Sequence, residues 1–360
     1  MTLDWLKQSR FPWRLALVLL SVVALMGLVA ACGDDDDDDD GGDSPTAAAT
    51  TTSAGEPTDG PSLEGSEIDL LIGVDTPDYT NLIEYAAQDI LAEQGITLNI
   101  GFSGDGETGV QQVIQGNAHI VDLPIVGFVP AITQGAEIEM VLSTARQSFA
   151  YASNPSITSI DDLANRTVAV HSEVSFTKAV TDALIEKYDI QGTTELIIPG
   201  SDVRLQTLVE GQIDATTVDL GDLIRAQQQF PGEINVLGTV AEEFPGLVYV
   251  VVGWDTGWAD ENPELAQAFV NAMIEADTRL EDLDYALEIA QVMLPDEEAE
   301  IQELIVTEFV DADINNSSDL NEETALETMQ FFYDFGSIET NPATINVEDY
   351  FDFTWQENAQ

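Results

Sequence analysis

"LVEGQIDATTVD" occupies residues 208–219 and "VIQGNAHIVD" residues 113–122. In each, apolar residues at helical spacing stop at a glycine, Gly211 or Gly116, a residue that accepts the left-handed backbone closing a helix. A short apolar strand then ends on a carboxylate, Asp219 or Asp122. One helix, glycine, strand and aspartate unit met twice in a chain predicts two α/β blocks built to a common plan.

The flanking patterns agree. Before the first unit, 68–74 reads as a buried strand, 79–94 as a helix with Leu82, Ile83, Ala86, Ala87, Ile90 and Leu91 on one side, 96–102 as a strand and 108–115 as a helix. A strand at 118–122, a helix at 125–134 and a strand at 138–144 complete the block. The second block begins with a short helical lead into a strand at 167–170. It continues with a helix at 175–188 closed near Gly192, a strand at 194–200 and a helix at 202–210. A strand at 214–219, a helix at 220–229 and a strand at 234–238 end it. "LVYVVVG" at 247–253 is a further β-branched strand, and helices fill the C-terminus, one starting at Pro263. Strands near 146–153 and at 247–253 carry the chain from one block to the other, and two crossings make a hinge.

The N-terminus is of another kind. Lys7, Arg10 and Arg14 precede an apolar run at 15–31, which reads as a secretion signal, with an uncleaved membrane anchor as the alternative. Its end, Val29-Ala30-Ala31-Cys32, resembles the bacterial lipobox. That resemblance implies cleavage before Cys32, a diacylglycerol on its sulfur, and acyl chains fastening the mature protein outside the cytoplasm at the cell membrane; the bland alternative is a small residue within a signal. From Gly33 to Gly65 the chain is Asp, Gly, Ser, Thr, Pro and Ala, too poor in large apolar residues to fold, and reads as a tether. The run Asp34–Asp40 is a solvated charge block rather than a chelator, because nothing fixes its geometry. The expected layout is a signal at 1–31, a tether at 32–65, one lobe at 66–145 plus 253–360, and a second at 146–252.

Charge excludes several functions. The chain holds 10 Lys+Arg and 67 Asp+Glu, and from Ser66 onward only 7 basic side chains face 55 acidic ones. Such a surface repels phosphate backbones, so no nucleic-acid partner is expected. A single cysteine excludes an internal disulfide, and His119 and His171 are too few for a histidine-rich metal site. No Ser-His-Asp order, Cys-His pair or HExxH motif is present, and "GFSGDGETG" lacks the lysine of a phosphate-binding loop, so neither an enzyme nor a cofactor is expected. "DADINNSSDLNE" at 311–322 spaces oxygens like a calcium loop, but Asn316 replaces the turn glycine and Ser318 the apolar anchor, which favours a polar helix connection.

With "SIDDLANRTVAVHSEVSFTKAV", "LVEGQIDATTVD" and "ENPELAQAFVNAMIEAD" in this order, the chain over 66–355 resembles the substrate-binding lipoproteins of ABC importers. The branch is the nitrate, sulfonate, taurine and thiamine-precursor group of the type 2 periplasmic-binding fold. The resemblance implies an α/β fold of two lobes, each a mostly parallel sheet flanked by helices and joined by two crossing strands. It further implies a monomer that closes on a small solute and delivers it to a membrane permease energised by an ATPase. A signalling partner in place of the permease is the alternative. The loop "DTPDYT" at 75–80 departs from the pattern of that group.

Open α/β sheets bind ligands at the carboxyl ends of their strands. The candidate ligand contacts there are Thr76, Asp78, Tyr79, Ser103, Asp122, His171, Ser172, Ser175, Phe176 and Asp219, with Arg146 and Trp254 expected beside the hinge. Tyr79 and Trp254 offer platforms for a flat ligand or core packing, and Asp122 and Asp219 offer acceptors for an amino group or helix caps. Ser172 and Ser175 stand where a helix start either receives an anionic group or is merely capped. Arg146 is either a cleft cation or a salt-bridge partner. Carboxylates and aromatics with little basic charge favour a small nitrogenous, aromatic solute, such as a thiamine-pyrimidine precursor, over nitrate, sulfonate or taurine.

Overall fold

Strands β1 (Glu67–Ile72), β2 (Thr97–Phe102), β3 (Ile120–Pro124) and β4 (Ile138–Ala145) form one sheet, with helices α1 (Leu82–Glu93), α2 (Gly106–Ile114) and α3 (Val129–Thr133) between them. A second sheet uses β5 (Phe149–Ser153), β6 (Thr167–Val170), β7 (Thr194–Ile197), β8 (Ala215–Asp219) and β9 (Asn235–Thr239). Its helices are α4 (Phe176–Lys187), α5 (Ser201–Val209), α6 (Leu220–Gln229) and the short α7 (Val240–Glu243). The chain then returns to the first sheet as β10 (Val250–Asp255) and continues through α8 (Thr256–Glu261), α9 (Pro263–Leu280), α10 (Leu283–Met293), α11 (Ala299–Asp311), α12 (Glu322–Asp334) and α13 (Thr354–Glu357). These residues, 62–359, are the part that the computed structural model describes; the expected signal, Cys32 and the tether up to residue 61 lie outside it. The last tether residues belong to the fold instead: Leu63 packs on the core, and the Gly65 N–H donates to Gly95 O at 2.8 Å.

Both sheets have one plan. The first runs β2-β1-β3-β10-β4 and the second β7-β6-β8-β5-β9. In each, three strands pair in parallel, and the fourth position holds an antiparallel strand that arrives by crossing from the other lobe. The repeated glycines do what their surroundings demand. Gly116 and Gly211 have φ of +70° and +71°, and the following residues close the same wide turn, Asn117 N–H to Gln112 O at 2.9 Å and Gln212 N–H to Thr207 O at 3.1 Å.

The antiparallel strands overturn one expectation. An antiparallel strand starts at the end where its parallel neighbours finish. Val250 therefore pairs with Pro124 and Ala145 at the hinge, while Trp254 pairs with Ile120 and Glu139 at the opposite end of the sheet. Trp254 is fully buried, with its indole N–H on Glu139 Oε1 at 2.9 Å and its ring edge-on to Trp355. It belongs to the first lobe's core and cannot meet a ligand. The same pairing moves the second lobe's expected end back from residue 252, since Val250 already lies in the first sheet. Residues 247–249 are crossover rather than strand.

The crossovers are fastened to each other and to the C-terminal helices. The Gln147 side chain donates to Leu247 O, joining the two passages, and the Val248 N–H donates to Thr328 Oγ1 on α12 at 2.9 Å. The connection at 311–322 sits against the first passage: the Arg146 N–H donates to Ile314 O at 2.7 Å and the Asn316 N–H to Thr144 O at 3.1 Å. No helix among the described residues is long and apolar enough to cross a membrane. Replacing Trp254 by alanine should cost about 3–5 kcal/mol of stability in urea unfolding while leaving solute affinity unchanged, because the side chain fills core far from the cleft.

Candidate functional site

Three aspartates reach the cleft from different elements. Asp78 precedes a 3-10 turn, Tyr79–Asn81, and caps it by accepting the Thr80 N–H at 2.8 Å. Asp122 lies near the end of β3, where one oxygen accepts the Thr144 hydroxyl at 2.7 Å. Asp219 ends β8 in the other lobe and caps α6 through the Gly221 and Asp222 N–H groups at 2.8 and 3.2 Å. Its second oxygen accepts the Ser148 hydroxyl from the first crossover at 3.0 Å. The capping role proposed for Asp219 and its place in the cleft therefore hold together.

The carboxyls feel one another. Burial, helped by the Asp78 charge, pushes Asp122 up to about 7. Burial, then the Asp78 and Asp222 charges, pushes Asp219 up to about 7. Asp78 itself is raised by burial. Tyr249 in the second crossover is raised by burial and then by the charges of Asp78, Asp219 and Asp122. Around Tyr249 stand Phe149 at 5.2 Å, edge-on, and Phe176 at 4.6 Å between ring centres, and Phe176 in turn meets Phe332 of α12. The result is a buried acidic cluster beside an aromatic one at the crossovers.

Several expected contacts have other work. Tyr79 is buried beneath the Arg225 guanidinium, 5.4 Å from its ring centre, and against Phe309. It therefore offers no face to a ligand. Arg146 turns away from the cleft into the 311–322 connection, where it pairs with Asp313 at 2.5 Å and Asp319 at 2.6 Å. The salt-bridge alternative is the correct one, and the same pairing gives that connection its fold. Ser175 caps α4, accepting the Lys178 N–H at 3.2 Å and donating to Ser172 O at 2.9 Å. The Ser175 hydroxyl is thus tied up in the cap, in which Ser172 takes part through its backbone N–H and carbonyl. Ser103 donates to Asp105 O at 2.8 Å, and Thr76 is exposed after β1. His171 accepts the Gly200 N–H through Nδ1 at 3.3 Å, its basicity lowered by burial and then by Arg204. Phe176 is the exception, a buried part of the aromatic cluster.

Sequence reading missed Glu84, Ser148, Phe149, Tyr249 and Arg225. Ser148, Phe149 and Tyr249 lie at the starts of the two antiparallel strands, where a search of carboxyl ends does not look. Arg225 links the lobes: from α6 it donates to Glu297 Oε2 at 2.9 and 2.6 Å and to Asp222 at 3.0 Å. Leu220 and Ile224 of the same helix pack on the first lobe's core.

Among the described residues, every Lys and Arg is committed. Arg166 pairs with Asp214, Lys178 with Asp182 and Glu195, Lys187 with Glu243, and Arg279 with Glu93 and Glu275. Arg204 is buried and spends its terminal nitrogens on Ile198 O, Ser201 Oγ and Thr217 O. Among the described residues, no three His, Cys, Asp or Glu side chains are grouped to hold a metal ion.

The model of the NMT1/THI5-like family matches residues 76–277. Among solved structures, the chain is similar to a zinc-bound ligand-binding component of an ABC-type import system from Staphylococcus aureus, with 11% identity over 82% of this chain and 99% of that one and a TM-score of 0.66. It is likewise similar to the periplasmic aliphatic sulphonate binding protein of Escherichia coli, with 11% identity, 80% and 92% covered and a TM-score of 0.62. The periplasmic nitrate-binding protein of Synechocystis PCC 6803 gives 11% identity, 81% and 87% covered and 0.60. At these identities the likeness is one of fold. No curated protein matches the chain in sequence.

A carboxyl raised on folding stabilises the fold fully below its unfolded value near 4 and loses that contribution as pH rises through its folded value. Ligand-free protein should therefore lose stability between about pH 4 and about pH 7, by a few kcal/mol at roughly 1.4 kcal/mol per unit. Thermal melts across that window should show the decline, and Asp122→Asn should flatten it.

Proposed function

The chain belongs to the NMT1/THI5-like family, and from that premise we propose that it is the solute receptor of an ABC importer. It captures a small nitrogenous, aromatic compound between two closing lobes and hands it to a membrane permease. We place it outside the cytoplasm, held at the membrane by acyl chains on Cys32, with a receptor's role and no chemistry performed on the solute. One observation carries the reading: carboxyls from both lobes, Asp78 and Asp122 on one side and Asp219 on the other, meet beside Tyr249 at the hinge. A solute with N–H groups that bridges them touches both lobes at once, and only such differential contact selects a closed state.

The anion alternative lacks support from the side chains. Nitrate or a sulfonate needs a donor charge in the cleft, and the one expected there, Arg146, is bound to Asp313 and Asp319. The fold of the sulphonate- and nitrate-binding proteins is shared, whereas the polarity of this cleft is acidic.

Two outcomes follow. Asp219→Ala should abolish solute binding, by a factor of about a hundred or more given the loss of a buried charged contact, while Arg146→Ala should leave affinity near wild type and lower stability only. The reverse pattern in calorimetry would restore the anion reading. Mass spectrometry of the compounds released from denatured protein supplies the ligand, and its addition should shrink the radius of gyration in solution scattering; a protein that neither carries a solute nor contracts is no receptor.

A further inference from the structure

We propose that the solute is an organic cation, whose charged end is received by the paired carboxyls of Glu84 and Asp122 in exchange for a proton that the two share. The inference rests on the receptor reading above and names the substrate class of that site.

Glu84 stands on the inner face of α1, at the spacing of Ala87 and Leu91, and is as fully buried as they are. A core position of this kind asks for an apolar residue. Neither buried oxygen of Glu84 has a hydrogen-bond partner, and the Asp122 carboxyl, with Asp78 behind it, adds to burial in holding Glu84 well above the usual carboxylate range. Two carboxyls in contact without a cation hold together when one keeps its proton and donates it to the other. Asp122 has its other oxygen on the Thr144 hydroxyl, so the shared proton lies on the Glu84 side of the pair.

The groups around the pair give it no relief. Asp78 faces it from the turn before α1, Tyr85 is the next residue on the helix, and Tyr249 approaches Asp122 from the crossover, while Asp219 and Asp222 of the second lobe bear on Asp78. Arg225 reaches Asp78 from α6 but is bonded to Glu297 and Asp222, and Arg204 lies behind Asp222, held by carbonyls. A positive end group supplies what is missing. As an ammonium or amidinium cation enters, the acid pair releases one proton to solvent, both carboxylates become ionised, and the positive charge replaces that proton. An anion would meet only repulsion. A bare metal ion finds no three ligands grouped to receive it.

The test uses the full-length chain with benzylamine, benzamidine and 4-aminopyrimidine as cationic or protonatable probes, benzoate and benzenesulfonate as anionic ones, and calcium chloride. Benzylamine and benzamidine, cationic at both values, should raise the melting temperature more at about pH 8 than at about pH 5, because the pair surrenders its proton more easily there. Calorimetry in two buffers of different ionisation enthalpy should read net proton release on binding. Glu84→Gln should weaken binding at least about tenfold and remove the proton release, yet raise the melting temperature of the ligand-free protein, since an uncharged side chain replaces a buried acid. Asp122→Asn, which keeps the Thr144 contact, should weaken binding likewise and guards against a folding defect in the first variant. Stabilisation by the anions or calcium and by none of the cations would overturn the cation inference and leave the receptor standing. Unchanged binding and proton release in both variants would overturn the role of the pair. No stabilisation by any probe, together with no solute in the purified protein, would overturn both readings.

Discussion

Like charges cannot be buried side by side, and the cleft of this protein assembles four carboxyls, Asp78, Glu84, Asp122 and Asp219, at the place where its two lobes meet. In a poorly solvated site the repulsion between neighbouring ionised groups amounts to several kcal/mol. The fold answers by raising these carboxyls well above their usual range, which favours any partner that brings positive charge. Stability given up at a binding site is a common cost of function. Here it also supplies a reason for closure to depend on the solute.

The topology decides which residues share that site. Parallel strands bring their carboxyl ends to the cleft, as Asp122 and Asp219 show, and each antiparallel strand brings its amino end, as Phe149 and Val250 show. The two crossovers therefore form the cleft's floor, and Ser148 and Tyr249 become site residues by position alone. That floor is braced by Gln147 on Leu247, by Thr328 on Val248, and by Arg146 held between Asp313 and Asp319. Arg225, by contrast, joins the lobes through side chains, from α6 to Glu297.

Much of this was legible in the sequence because it is local. Gly116 and Gly211 announced their helix ends, the strand at 167–170 and the helix at 220–229 coincide with β6 and α6, and Asp122 and Asp219 emerged as a pair from the repeat. What stayed hidden depends on partners far along the chain. Arg146 could not be read without its companions at 313 and 319. Trp254 sat one strand length from the hinge because the direction of its strand was not in the pattern. Tyr79 looked like a platform until Arg225 and Phe309 covered it. Glu84 left a faint signal, an acid in register with Ala87 and Leu91 on an otherwise apolar helix face, and such a misfit is worth following wherever it occurs.

The central claim is that the carboxyls of the cleft hold protons near neutral pH until a cation replaces them. Carbon-detected NMR titration of the Asp and Glu side-chain carboxyls in the ligand-free protein tests it directly. Asp122 and Asp219 should titrate near 7, as burial and the Asp78 charge require, and Glu84 well above the usual carboxylate range. If all three lose their protons near 4, as carboxyls in water do, then the cleft is open to solvent and the coupling between its charge and its closure does not exist.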